Sequence, residues 1–189
     1  MGEPRLNIIF DERRPERYYP LLGEFERQKI TDFEIFPCII RPKVLESITS
    51  SFKMIVMLAK DNGLKEVAIG EDDLMFPAED GWEYFLRNKP EEFDVYIGGT
   101  YYINKPEEYK PPVIKVKEWV GNHCIIIHEK YYDTFLSLPD NCHCDTANSD
   151  KGDFYVCFPF AALQRPGFSA NNNTIVNYNP ILKPEWIHS

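Results

Sequence analysis

Residues 42–61, "PKVLESITSSFKMIVMLAKD", constrain the fold of this chain more than any other segment. Phe52, Ile55, Val56 and Ala59 recur at helical spacing and form one face, and Met54, Met57 and Leu58 widen it. Asn62-Gly63 supplies a stop. A helix this apolar must be covered, and a sheet is the simplest cover. Short apolar runs able to supply that sheet lie on both sides: 6–10, 33–36 closed by Pro37, 66–70, 94–97 ending in Gly98-Gly99, 123–127 and 154–158. Residues 113–119 alternate like an exposed strand. Tyr18, Leu21, Leu22 and Phe25 mark one further helix, Trp82, Phe85 and Leu86 a short one, and Tyr131, Tyr132 and Phe135 another. The proline-rich, charged stretch 104–112 reads as a surface loop. Strand-helix alternation in the first hundred residues predicts an α/β domain with a mostly parallel sheet flanked by helices. One domain spanning 1–165, with an extended tail over 166–189, accounts for the whole pattern.

Charge and cysteine content narrow the function classes. A net charge of -9 over 189 residues disfavours a grip on nucleic-acid phosphates. No signal-like leader and no transmembrane segment is read, so the expectation is a soluble, cytoplasmic protein, at most peripheral to a membrane. Cys38, Cys124, Cys142, Cys144 and Cys157 are odd in number, and three adjoin strand-like residues, as reduced structural thiols do. "CHCD" at 142–145 has no second Cys/His pair at matching spacing to complete a zinc site.

The unusual feature is "IGEDDLMF" at 69–76. Glu71, Asp72 and Asp73 stand between two apolar runs, although like charges repel and resist desolvation. A lone acid after a strand is usually a helix cap or a solvated turn. Three with apolar flanks are best tolerated around a divalent cation, Mn²⁺ or Mg²⁺, whose open positions take phosphate oxygens. The cluster falls at the C-terminal end of a strand, where open α/β sheets bind ligands.

Residues 50–76, "SSFKMIVMLAKDNGLKEVAIGEDDLMF", resemble the central segment of family 25 glycosyltransferases, the lipopolysaccharide and collagen galactosyltransferase group. "DERRPER" after the first strand is similar to that family's Arg-containing turn. "GNHCIIIHEKYYDTFLSLP" resembles the strand and helix preceding its later Asp, here Asp145, and "YVCFPFAALQRPGFSANN" its closing segment. The resemblance covers about residues 6–173, and the order of the motifs carries it more than any one of them. It implies a GT-A-like, Rossmann-like fold and an inverting sugar transfer from a nucleotide-diphosphate donor, a UDP-sugar foremost, to a carbohydrate or glycoconjugate acceptor. One departure stands out: Phe52 occupies the place of the family's His.

On this reading Asp73 binds the metal directly, with Glu71 as a second ligand, and Glu71 or Asp72 contacts the ribose or a metal-bound water. Asp145 is the general base, its bland alternative being a helix cap. Arg13 and Lys53 reach the nucleotide or its diphosphate, and Gln164 and Ser169 line the donor-sugar or acceptor pocket. For Arg17 surface solvation is the stronger reading. Trp82 and Tyr84 read as core more than as sugar-stacking residues, and the penultimate His188 is left out of the site. Two rivals stay open: a degenerate GT-A-like binding module, and a nucleotidyltransferase, which the absence of glycine in "FDERRPER" disfavours.

Overall fold

The computed structural model describes residues 3–170 and 172–177, with 104–109 described by their backbone. Its centre is an eight-stranded sheet in the order β2-β1-β3-β8-β5-β9-β7-β6. β1 (Leu6–Phe10), β2 (Phe33–Pro37) and β3 (Glu66–Glu71) pair in parallel, as do β5 (Val95–Ile97) and β9 (Phe154–Cys157). β8 (Cys124–His128) runs against both β3 and β5, and β7 (Val113–Val120) against β9 and β6 (Tyr102–Lys110). Six strands therefore share one direction, with β8 and β7 reversed.

Both faces are covered. α2 (Val44–Asp61) lays Phe52, Ile55, Val56 and Ala59 on one face, where α4 (Tyr132–Leu136) and α5 (Cys144–Ala147) add Tyr132, Phe135 and Cys144. α1 (Tyr18–Arg27) and α3 (Gly81–Arg87) cover the other with Leu21, Phe25, Trp82 and Phe85. Phe52 is fully buried. It belongs to the core and also lines the cleft described below. Phe52→Ala will therefore cost about 3–5 kcal/mol, read as a lowered urea midpoint at unchanged m-value.

Two expectations need correction. The stretch 104–112 is not a loop: β6 (Tyr102–Lys110) pairs with β7 as the outer strand of a hairpin. Proline and charge fit an edge strand, which needs only one ladder, and the register slips between Pro106 and Glu108. The described part of the predicted tail, 166–170 and 172–177, also carries local structure. β11 (Gly167–Ser169) and β12 (Thr174–Val176) form a small hairpin, while His188 lies outside the described residues. β4 (Leu74–Met75) and β10 (Leu163–Gln164) make a further two-stranded ladder. All five cysteines are free thiols. No helix among the described residues is long and apolar enough to cross a membrane.

Candidate active site at the strand ends

A cleft opens where β1 and β3 end and β8 begins, since β8 is reversed and Cys124 pairs with Gly70. Three groups of side chains follow the order of those strands. The turn after β1 brings Arg13, Arg14 and Arg17; the end of β3 brings Glu71, Asp72 and Asp73; the start of β8 brings His123, beside Asp145 of α5.

Backbone contacts hold the acidic turn. Asp72 Oδ2 accepts the Asp11 N–H at 2.8 Å, tying the ends of β3 and β1 together. The Arg165 N–H donates to the Asp73 carbonyl at 2.6 Å, beside the β4–β10 ladder. Farther along, α1 anchors the chain through two buried side chains. Glu24 accepts the Phe76 N–H and Gln28 the Trp82 N–H, each at 3.0 Å.

Arg17 is the central cation, which corrects its reading as a solvated residue. Its Nη1 lies 2.5 Å from Asp72 Oδ1 and 3.1 Å from Asp73 Oδ2, and its Nη2 donates to the Phe168 carbonyl at 2.9 Å. Burial works against the guanidinium, yet Asp73 and Asp72 outweigh it and raise the Arg17 pKa. The reach needed is set by the 3-10 turn at Pro15–Arg17, which aims the third arginine of "RRPER" back over the strand ends. Arg13 instead pairs with Asp11, Nε to Oδ1 at 2.8 Å, with more than half of its side chain exposed. Arg14 stacks its guanidinium 4.5 Å from the Phe168 ring centroid.

One guanidinium does not neutralise three carboxylates. Burial pushes the Glu71 carboxyl well above the usual range, and the charges on Asp73 and Asp72 push it further. Asp73 rises to about 6: burial raises it, Arg17 opposes, Asp72 adds, and Gln164 again opposes. Gln164 Nε2 donates to both Asp73 oxygens at 3.0 and 3.1 Å, and the Tyr101 hydroxyl bonds Gln164 Oε1. Asp72 rises as well, through burial.

Asp145 is buried and uses both oxygens on backbone. Oδ2 accepts the Gly121 N–H at 2.6 Å, and Oδ1 the Thr146 N–H at 2.7 Å. It still lines the cleft, as do Arg13, Glu71, Asp72, Asp73, Gln164 and Ser169. Lys53 does not. It follows Phe52 by about 100° around α2, so its Nζ turns away from the strand ends to the Leu138 carbonyl and to Asp140. Trp82 packs in the core, and the Tyr84 hydroxyl donates to the Phe158 carbonyl at 3.1 Å. Sequence reasoning passed over Arg14, Tyr101, Phe168 and His123. Of these, His123 carried the one signal, as a titratable group directly before the apolar run "CIII".

Glu71 and Asp73 fit a divalent cation. Burial, and after it the neighbouring carboxylate charge, raises the pKa of both groups, and a bound cation would offset both effects. Among the described residues no three His, Cys, Asp or Glu side chains form a metal cage. Mg²⁺ and Mn²⁺ need none when one or two carboxylates are joined by substrate phosphates.

No family model matches the sequence, and no curated protein matches it. Solved structures do match. A197 from STIV aligns with a TM-score of 0.51 at 12% identity, covering 92% of this chain and 93% of its own. The catalytic domain of Drosophila β1,4galactosyltransferase 7, in complex with xylobiose, gives 0.50 at 10% identity over 92% of this chain and 70% of that one. HddC from Yersinia pseudotuberculosis gives 0.50 at 9% identity, covering 80% and 89%. The fold is GT-A-like, a mixed α/β domain with a mostly parallel central sheet flanked by helices.

Proposed function

We propose that this chain is a glycosyltransferase of the family 25 type, dependent on Mn²⁺ or Mg²⁺, moving a sugar from a nucleotide-diphosphate donor to a carbohydrate or glycoconjugate hydroxyl with inversion. The observation that carries the reading is the charge layout of one cleft: arginines after β1, buried Glu71 and Asp73 with raised pKa values after β3, and Asp145 beyond them. Glu71 and Asp73 would hold the cation, which would supply positive charge to a leaving diphosphate. Arg13 and Arg14 stand where they can take the diphosphate's outer oxygens. Arg17 holds Asp72 and Asp73 at fixed positions, and Gln164 orients the Asp73 carboxylate. Asp145 receives the acceptor hydroxyl's proton on a carboxylate oxygen, the two backbone N–H groups keeping that carboxylate aimed. Ser169, which lines the cleft from β11, contacts the sugar or acceptor in this reading.

A second reading has its own support. Arg17 already pairs with both aspartates, as it would in a binding module that has given up its metal. Thermal unfolding against a panel of nucleotide-sugars, with and without Mn²⁺, separates the two. The enzyme reading expects one nucleotide class to raise Tm by roughly 5–10 °C at a hundredfold excess over Kd, only with metal, and Asp73→Ala to abolish the rise. A shift that ignores both metal and Asp73 would establish the binding module, and no shift with any donor would end both readings.

A further inference from the structure

Arg17 is not the only group that holds Asp73. β10 pairs with β4 so that Gln164 stands opposite Leu74, the residue after Asp73, and the Arg165 N–H reaches the Asp73 carbonyl. This register lays the Gln164 amide along the Asp73 carboxylate, with Nε2 donating to both oxygens at 3.0 and 3.1 Å. A carboxylate only accepts, so the NH₂ end of the amide must face Asp73 and Oε1 must point away. There the Tyr101 hydroxyl donates to it. Pinned at both ends, the amide cannot swing, and the plane of the carboxylate is set by Tyr101 as well as by Gln164.

The tyrosine is itself braced in the wall of the cleft. Its backbone N–H donates to the Val120 carbonyl at 2.7 Å. Its ring meets His123 edge-on, with centroids 4.4 Å apart. The same ring lies directly on Gly121, where a Cβ would stand 2.7 Å from Tyr101 Cδ2. Gly121 has a φ of +99°, which favours glycine, and its N–H is the donor on Asp145 Oδ2. One side chain therefore touches the supports of two carboxylates. Its hydroxyl reaches Asp73 through Gln164, and its ring backs the glycine that holds Asp145.

A ring that only fills space would serve equally well as phenylalanine, so the hydroxyl is the informative atom. We propose that Tyr101 is a positioning residue for the cation site, fixing through Gln164 the plane in which Asp73 presents its carboxylate. Carboxylates oriented by such outer partners hold metal more tightly than ones left free to turn. The inference rests on the cation site proposed above and adds the residue that presets its geometry.

Titration of the full chain with Mn²⁺, alone and with UDP or GDP present, tests it through the electron paramagnetic resonance of the free ion. Tyr101→Phe keeps the ring on Gly121 and removes only the hydroxyl. It is expected to weaken Mn²⁺ about 10-fold, and Gln164→Leu at least as much. Because the hydroxyl acts through the amide, Tyr101→Phe should cost nothing further in the Gln164→Leu background. A variant that merely misfolds would instead multiply the losses. Wild type supplies a separate readout, since the chain has two glutamines and Gln28 is engaged with the Trp82 N–H and the Ala78 carbonyl. Substoichiometric Mn²⁺ should broaden the Gln164 side-chain amide resonance, identified by its loss in Gln164→Leu, and leave that of Gln28 sharp. Unchanged affinity in Tyr101→Phe, or losses that multiply in the double variant, overturns the positioning role and spares the cation site. A Gln164 amide that stays sharp while Mn²⁺ binds, or a wild type that binds no Mn²⁺ under any of these conditions, removes the cation site at Asp73 and this inference with it.

Discussion

Arg17→Met will lower the unfolding free energy by about 3 kcal/mol at neutral pH, measured as a drop in the urea midpoint. The side chain is only 20% exposed and its partners Asp72 and Asp73 are 6% and 13% exposed, so the substitution leaves two buried carboxylates without their cation. It also removes the Arg17–Phe168 carbonyl bond that fastens the β11–β12 hairpin over the cleft. The double variant Arg17→Met/Asp72→Asn should regain most of the loss, since one stranded charge goes with its partner. If the double variant is as unstable as the single one, the cost lies in packing or in the hairpin and not in the carboxylates.

The pH dependence follows from the same cluster. Asp73 has a folded pKa of about 6, above its value near 3.9 in unfolded chain. Glu71 and Asp72 are raised too. The native state therefore binds more protons than the unfolded state between those limits. Its stabilising contribution is fully present below about pH 4 and is lost as pH rises through about 6. Without Arg17 the carboxylates repel more strongly and the fall becomes steeper. The gap between wild type and Arg17→Met should thus be smallest near pH 4 and largest near pH 8.

Asp145→Asn is expected to slow sugar transfer by about 10²- to 10⁴-fold while the metal-dependent thermal shift with nucleotide-sugar persists. The substitution is chosen for the geometry. Asparagine keeps a carbonyl oxygen for the Gly121 N–H, and its amide then faces the Thr146 N–H, at a cost of about 1–2 kcal/mol. The decisive readout is kcat against KM. A general base lost from the acceptor hydroxyl appears in kcat. A carboxylate that only braces Gly121 and the start of α5 would appear in Tm and KM with kcat intact, and that outcome would remove Asp145 from the chemistry.

Much of this fold was legible because hydrophobic period is a local property. The face Phe52-Ile55-Val56-Ala59 and the runs 6–10, 66–70 and 123–127 name their own elements, and an apolar helix between strands requires a layered α/β arrangement. The chain direction then places "GEDD" at a strand end without any coordinates. The edge hairpin at 102–120 was half hidden, since an edge strand needs neither burial nor a clean alternation and its prolines read as a loop.

The site divides along the same line. By itself the sequence determined which groups are chemically costly: three adjacent carboxylates and a turn of arginines. It could not say which of them meet, because contacts over long sequence separations are set by strand order and register. Only the tertiary structure decided that Arg17 crosses 55 residues of chain to reach Asp72 while Lys53 faces Asp140 instead. The same holds for His123, which a reversed β8 brings to the strand ends beside the Cys124–Gly70 pair. Periodicity fixes the face on which a side chain emerges, and packing of distant segments fixes what it finds there.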